Sequence, residues 1–129
     1  MATVTNEEKI PELDRDFLYE KEYEFEILPL GGALHLIIKN FEFPEHYAPS
    51  QADLLVILPA GYPNAALDMF RTYPDVKLTN GNWPAAASPH EQLNGRSWQS
   101  WSRHTNWRVG KDSLRSFISA VKKELNKGI

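Results

Sequence analysis

The stretch ADLLVILPAGYP, residues 52–63, decides the fold. Ala52–Leu58 is an apolar run of strand length, interrupted by a single acidic residue, and such runs favour a strand buried inside a sheet. The prolines and glycine that follow it stop a strand, because proline lacks a backbone donor and glycine favours turns. The sequence therefore predicts a central strand that ends in a sharp turn.

Further strands are predicted on both sides of this run. In YEKEYEFEIL, residues 19–28, apolar side chains alternate with glutamates, which is the pattern of a half-buried strand. Turn residues at Pro29–Gly32 and a second apolar segment at Ala33–Phe43 predict a hairpin. Leu67–Tyr73 predicts a shorter strand, which completes a four-stranded antiparallel meander.

The C-terminal segment KDSLRSFISAVKKELNKGI has helical periodicity. Its apolar residues recur at helical spacing and form one face: Leu114, Phe117, Ile118, Val121 and Leu125. Asp112 is a suitable N-cap and lysines occupy the last turn, so a helix is expected from Asp112 to about Asn126. The predicted fold class is α+β: the meander, a long irregular segment over residues 74–107, and this helix packed against the sheet.

Length and the N-terminal residues set the expected domain organisation. A chain of 129 residues is expected to form one domain with its own core. Residues 1–18 are predicted to be a flexible lead-in or a short helix with Ile10, Leu13 and Phe17 on one side. Residues 19–127 are predicted to form the folded domain.

Composition narrows the classes of function. A net charge of −3 without a long basic run disfavours nucleic acid as a partner. The lack of cysteine excludes disulfides, cysteine-ligated zinc and a thiol nucleophile. No stretch has the pattern of a signal peptide or a membrane span, so a cytoplasmic protein without a membrane partner is expected. No cofactor is predicted.

The segment GRSWQSWSRHTNW, residues 95–107, concentrates aromatic and cationic side chains without a clear helix or strand pattern. Three tryptophans are expected to be buried and to pin the segment onto the sheet: Trp98, Trp101 and Trp107. At least one of these rings is expected to stack with Arg96 or Arg103. A segment made rigid in this way also suits the support of a functional site.

Histidines and serines are the candidate catalytic groups. His90 follows Ser88 by two residues, and His104 lies within the tryptophan-rich segment. A serine hydroxyl needs a nearby base to act as a nucleophile, but no GxSxG elbow is present, so spacing alone favours serines that fill turns. No HxH, HExxH or carboxylate cluster has ligand spacing, so no metal site is predicted. His46, in a proline-bounded loop, is predicted to lie on the surface, and His35 to pack within a strand.

Three segments together resemble one protein family: LLVILPAGYPNAALDMF (54–70), GRSWQSWSRH (95–104) and NWRVGKDSLRSFISAV (106–121). They resemble the bacterial family E of ubiquitin-conjugating-enzyme-like proteins, over residues 19–125. The first segment has the Tyr-Pro turn of the superfamily, and the second is the long and specific match. The resemblance implies a fold like that of ubiquitin-conjugating enzymes.

The resemblance also implies a function and partners. A member of this family is expected to be a transferase that takes an activated ubiquitin-like C-terminus from an activating enzyme and passes it to a target. The implied partners are a ubiquitin-like or multi-ubiquitin protein, the activating enzyme and a JAB-type peptidase of the same pathway. Some bacterial pathways of this kind are thought to defend against phage.

The chain departs from the superfamily pattern at the expected active site. TYPDVKLTNG, residues 72–81, contains no His-Pro-Asn motif, and no cysteine occupies residues 85–88, where the resemblance implies the nucleophile. Three explanations are open. A serine replaces the cysteine and forms an oxyester, or the protein is an inactive scaffold that binds the ubiquitin-like protein or the activating enzyme, or an engineered alanine at residues 85–87 stands where a cysteine was.

The serine explanation predicts a specific set of site residues. Ser88 is the expected nucleophile, and His90 or His104 is expected to assist it. Ser97 is the alternative nucleophile under a different alignment of the loop. The residues expected to support the site, by stabilising an oxyanion or by packing, are Arg96, Arg103, Trp98, Trp101 and Trp107.

Overall fold

The structure is a computed structural model that describes residues 5–129. It contains two α-helices, α1 (Glu12–Glu20) and α2 (Leu114–Leu125), and a short 3₁₀ turn at Glu7–Lys9. The strands in chain order are β1 (Glu24–Leu30), β2 (Ala33–Glu42), β3 (Tyr47–Ala48), β4 (Gln51–Leu58), β5 (Phe70–Tyr73), β6 (Lys77–Leu78), β7 (His90–Leu93) and β8 (Arg96–Trp101). The predicted α+β class is confirmed.

Six of the strands form one antiparallel sheet in the order β1-β2-β4-β5-β8-β7, and β3 pairs with β6 separately. The predicted hairpin is present as β1 and β2, with Phe25 opposite Ile38. Strand β4 lies between β2 and β5, so the predicted central strand is confirmed. Its residues Leu54, Leu55 and Val56 are fully buried, which explains the continuous apolar run.

The prediction of four strands followed by a long irregular segment is wrong. The tryptophan-rich segment supplies β8, which pairs with β5 on one side and with β7 on the other. Asn94 and Gly95 form the β7–β8 turn with φ values of 55° and 76°, the left-handed geometry for which Asn-Gly turns are selected. Strand β8 lacks an apolar alternation because both of its faces are buried and two of its buried residues, Gln99 and Ser100, are polar.

Helix α2 packs its apolar face on the sheet as predicted. All five residues of that face are buried: Leu114, Phe117, Ile118, Val121 and Leu125. The expected cap is wrong, because Ser113 and not Asp112 is the N-cap. The Asp112 carboxylate instead accepts hydrogen bonds from Arg108, at 2.7 Å from its backbone N–H and 3.1 Å from its guanidinium.

Helix α1 buries a different face from the predicted one. Ile10 and Phe17 are buried as expected, but Leu13 is 79% exposed, and Asp14 and Leu18 are buried instead. The face is rotated because Asp14 has a polar partner inside the protein, which is described next. The helix crosses residue 19, and the predicted division there between a lead-in and a domain stays a prediction.

A buried polar network joins α1, the Tyr-Pro turn and α2. The Tyr62 hydroxyl donates to Asp14 Oδ2 at 2.7 Å and accepts from the Leu114 backbone N–H at 2.8 Å. It therefore satisfies one of the free N–H groups at the start of α2. Burial raises the pKa of Asp14, although the hydrogen bonds from Tyr62 and Leu114 oppose that shift. Burial and the adjacent carboxylate raise the pKa of Tyr62 as well.

The Asp14→Asn variant is expected to gain stability relative to the wild type as pH rises above about 4, the ordinary pKa of an aspartate. A carboxyl whose pKa is raised by folding contributes stability below its unfolded pKa and loses it as pH passes through the folded value. Each tenfold change in the acid constant corresponds to about 1.4 kcal/mol. Urea unfolding at several pH values measures the difference, with Asp16→Asn, an exposed site on the same helix, as the control. A difference that does not change with pH would contradict the raised pKa.

Two histidines serve the fold. His35 is buried in β2 as predicted, and burial lowers the pKa of its imidazole. His46 was expected at the surface but is half-buried, which corrects that prediction. Its Nε2 lies 2.9 Å from the Leu125 carbonyl and its ring packs on Tyr47. His46 thus serves one of the free carbonyl groups at the end of α2.

Candidate functional site

The loop of residues 85–89, which contains the expected nucleophile position, lies against the end of β8. The backbone N–H of Ser100 donates to the Pro89 carbonyl at 2.8 Å. The backbone N–H of Ser102 donates to the Ala86 carbonyl at 3.0 Å. The 85–89 loop and the residues that follow β8 therefore form one surface.

Gln99 fixes this loop from inside the protein. Its side chain is fully buried, and its Oε1 accepts from the Thr72 hydroxyl at 2.8 Å and from the Val76 N–H at 2.7 Å. Its Nε2 donates to the carbonyls of Val76 and Ala87, both at 2.9 Å. Because an amide has two donors and two acceptor lone pairs, all of its hydrogen-bonding capacity is used. Gln99 therefore ties β5 and two loop segments to β8.

A serine, a histidine and an aspartate form a hydrogen-bonded chain beside the 85–89 loop. His104 Nδ1 lies 2.7 Å from Asp68 Oδ1, and His104 Nε2 lies 3.3 Å from Ser102 Oγ. An ionised carboxylate can only accept, so Nδ1 carries a proton, and in the neutral imidazole Nε2 then presents its lone pair to the hydroxyl. All three residues are exposed. The arrangement is that of a hydroxyl next to an oriented general base.

The structure does not join Ser88 to His90. Ser88 is exposed, and its hydroxyl makes no hydrogen bond within residues 5–129. His90 Nε2 lies 2.8 Å from Asp75 Oδ1, and its ring packs edge-on against Trp83 at 5.6 Å between centroids. His90 is therefore held by a carboxylate and an indole, while the Ser88 hydroxyl is free to face a partner.

The other predicted residues of β8 lie on the strand itself. Ser97 is exposed, and its side chain has no hydrogen bond to the described residues. Arg96 donates to Asp53 Oδ2 at 2.9 Å, and its guanidinium lies 4.4 Å from the centre of the Tyr73 ring and 5.7 Å from that of Trp98. Arg96 thus forms an ion pair with β4 and aromatic contacts with Tyr73 of β5 and Trp98 of its own strand.

Arg103 anchors the loop by its side chain. One guanidinium nitrogen donates to the Ala85 carbonyl and the other to the Ile129 carbonyl at 3.1 Å. Its Nε lies 3.4 Å from Glu124 Oε2, and the guanidinium lies 5.4 Å from the centre of a Trp101 ring. With these nitrogens engaged, Arg103 holds the 85–89 loop beside α2.

Two of the three tryptophans are fully buried. Trp101 belongs to the main core under α2, and Trp98 packs with Ile37 and Leu55 on the other face of the sheet. Trp107 is only half-buried, and its indole N–H donates to the Pro63 carbonyl at 2.9 Å. The tryptophan-rich segment is therefore held to both faces of the sheet, which a single irregular loop would not achieve.

Sequence reasoning assigned no role in the site to three residues that shape this surface: Ser102, Asp68 and Gln99. Ser102 has a local signal, the Ser-x-His spacing to His104. Asp68 has none, because it lies 36 residues from its histidine. The position of Gln99 could have been predicted from the Asn94-Gly95 turn, because that turn predicts a hairpin whose second strand contains Gln99.

Two negative findings apply to residues 5–129. No three side chains of histidine, aspartate or glutamate gather in a geometry that could hold a metal ion. No helix in that part of the chain has the length and apolar character needed to cross a bilayer.

Comparison with known proteins agrees with this architecture. A family model described as Prokaryotic E2 family E matches residues 10–128. Searches of curated proteins and of solved structures found no match. The matched range contains both α-helices, all eight strands and every residue of the Ser102–His104–Asp68 chain. The resemblance seen in the sequence is confirmed, and the chain belongs to the prokaryotic E2 family E.

Proposed function

We propose that this protein carries the C-terminus of a ubiquitin-like protein, which it accepts from an activating enzyme and passes to a target. Family membership indicates a role in ubiquitin-like conjugation. One observation carries the more specific proposal. The 85–89 loop, where the family resemblance implies the nucleophile, lies beside His104, which is hydrogen-bonded to both Ser102 and the Asp68 carboxylate.

The chemistry is that of an oxygen nucleophile, because the chain has no cysteine. A serine hydroxyl attacks an activated acyl group only when a base takes its proton. The product is an oxyester, which is less activated than a thioester. Its onward transfer to a target therefore depends on base catalysis and on stabilisation of the oxyanion.

Two serines of this surface suit the role of acceptor. Ser88 is the acceptor predicted from the sequence, and its free, exposed hydroxyl supports that role. Ser102 already contacts a histidine and is considered in the next section. The proposed partners are a ubiquitin-like or multi-ubiquitin protein, its activating enzyme and a JAB-type peptidase, and we propose that the pathway acts in defence against phage.

A second candidate function is that of a non-catalytic scaffold. The absence of cysteine favours it, since a fold of this family without its thiol can still bind a ubiquitin-like protein or an activating enzyme. The two functions differ in one observable: the carrier forms a covalent bond with the ubiquitin-like protein, and the scaffold does not.

The test is incubation with ATP and with the ubiquitin-like protein and activating enzyme encoded in the same gene neighbourhood. We expect an adduct that survives thiol reductant, is cleaved by hydroxide and does not form when ATP is omitted. A reversible complex without any covalent adduct would contradict the carrier and leave the scaffold as the function.

A further inference from the structure

We infer that Ser102 is the nucleophile, that His104 is its general base, and that Asp68 is a positioning residue for His104. The substrate class is an activated acyl group, an acyl thioester at the end of a peptide chain. The identity of this acyl donor rests on the proposed function. The nucleophilic character of Ser102 rests on its own geometry.

The succession of hydrogen bonds from Asp68 to His104 to Ser102 supports these roles. Asp68 sets the tautomer of His104, so that the basic Nε2 faces Ser102 Oγ at 3.3 Å. Catalytic hydrogen bonds of this kind are often long without substrate and shorten when it binds. No other serine–histidine pair is hydrogen-bonded through its side chains within residues 5–129.

Stability does not explain this chain of hydrogen bonds. The side chains of His104 and Asp68 are 62% and 52% exposed, and exposed ion pairs contribute little to folding. The backbone nevertheless holds them at a conformational cost. Met69 and Ala86 have φ values of 61° and 50°, and non-glycine residues in this left-handed region are strained and cluster at active sites.

The strained residues flank the proposed site directly. Met69 follows Asp68, and its N–H donates to the Arg103 carbonyl at 3.1 Å, which fixes Asp68 opposite His104. Ala86 accepts from the Ser102 N–H at 3.0 Å, which fixes the serine. Backbone hydrogen bonds therefore position both ends of the hydrogen-bonded series Ser102–His104–Asp68.

The surroundings suit a narrow acyl donor. His104 borders a cavity of about 200 Å³ whose lining includes Phe117, Val121 and Lys123, and Ser102 lies next to its lining residue Arg103 without lining it. A cavity of this size admits the end of a peptide and excludes a folded domain. The backbone N–H groups of His104 and Thr105 make no hydrogen bond within residues 5–129, so they are available as donors to an oxyanion.

The step balances without another reactant. The Ser102 Oγ–acyl carbon bond forms and the acyl carbon–sulfur bond of the thioester breaks. The hydroxyl proton moves to His104 Nε2 and then to the departing thiolate. No atom is oxidised or reduced.

A fluorophosphonate probe tests the nucleophile without any pathway protein. We expect the wild type to gain one phosphonyl group, which peptide mass spectrometry places on Ser102. Ser102→Ala should abolish labelling, and His104→Ala should slow it by about 10²-fold or more. Ser50→Ala, an exposed serine in another loop, should label like the wild type. Absence of labelling, or labelling of Ser88 or Ser97 in place of Ser102, would overturn the inference.

A spectroscopic measurement tests Asp68 separately. Long-range ¹H–¹⁵N NMR spectra should show His104 of the wild type protonated on Nδ1, and Asp68→Asn should shift population toward the Nε2-protonated tautomer. An unchanged tautomer in the variant would show that Asp68 does not position the base. A merely structural aspartate would alter unfolding but not this signature.

The two proposals fail in different ways. Labelling of Ser102 by the probe, with no adduct to a ubiquitin-like protein, would refute the carrier function and support the nucleophile. An adduct mapped to Ser88 would refute Ser102 as the nucleophile and support the carrier function.

Discussion

Gln99→Leu is expected to lower the free energy of unfolding by about 3–5 kcal/mol. Leucine fills a similar volume but leaves the backbone groups of Val76 and Ala87 without their partner. Each buried polar group left unpaired costs about 1–3 kcal/mol. Urea unfolding, followed by tryptophan fluorescence, measures the change.

The matched control for this prediction is Gln92→Leu, because Gln92 is an exposed glutamine on the paired strand β7. Surface substitutions of this kind usually change stability by less than about 0.5 kcal/mol. Equal effects of the two variants would mean that the four hydrogen bonds of Gln99 do not hold the 85–89 loop.

His104→Ala is expected to slow formation of the adduct with the ubiquitin-like protein by about 10²–10⁴-fold, the usual contribution of a general base. The loss should appear in the rate and not in folding, because the His104 side chain is largely exposed. Quenched time courses with saturating activating enzyme measure the rate. Thermal unfolding provides the control for folding.

His90→Ala is the informative comparison, because His90 is also a histidine paired with an aspartate at the surface. We expect the larger loss from His104→Ala, since His104 and not His90 contacts a serine hydroxyl. A larger loss from His90→Ala would favour the alternative that His90 assists Ser88.

Much of the fold could be predicted because each of these elements buries either one face or one continuous stretch of apolar residues. The alternation before Leu28, the apolar run Ala52–Leu58 and the helical spacing after Ser113 each have a single period. Those periods match β1, β4 and α2 as observed. Pattern and structure agree there because the burial is simple.

The β7–β8 hairpin could not be predicted from apolar periodicity, and the reason is physical. Trp98 and Trp101 are three positions apart and face opposite sides of the sheet, and between them Gln99 is buried without being apolar. A period-2 apolar pattern cannot arise in such a strand. The Asn94-Gly95 turn was the available signal.

The candidate site could be predicted only in part. His104 could be predicted because it lies within GRSWQSWSRH, the segment that resembles the family. Asp68 comes close to it only through the antiparallel pairing of β5 with β8. A contact between residues 36 positions apart cannot be inferred from the composition of the sequence or from the spacing of its motifs. The contact of Ser102 with His104 depends likewise on the bend after β8, which the 85–89 loop holds in place.

Mass spectrometric mapping of the wild-type adduct tests the central claim most directly. After incubation with ATP, the activating enzyme and the ubiquitin-like protein, peptides are prepared at low pH so that an ester survives. The account predicts one hydroxide-labile ester between the ubiquitin-like C-terminus and the Ser102 hydroxyl. A lysine-linked adduct alone, or no adduct while the activating enzyme is itself charged, would contradict the claim that this protein is a serine-based carrier.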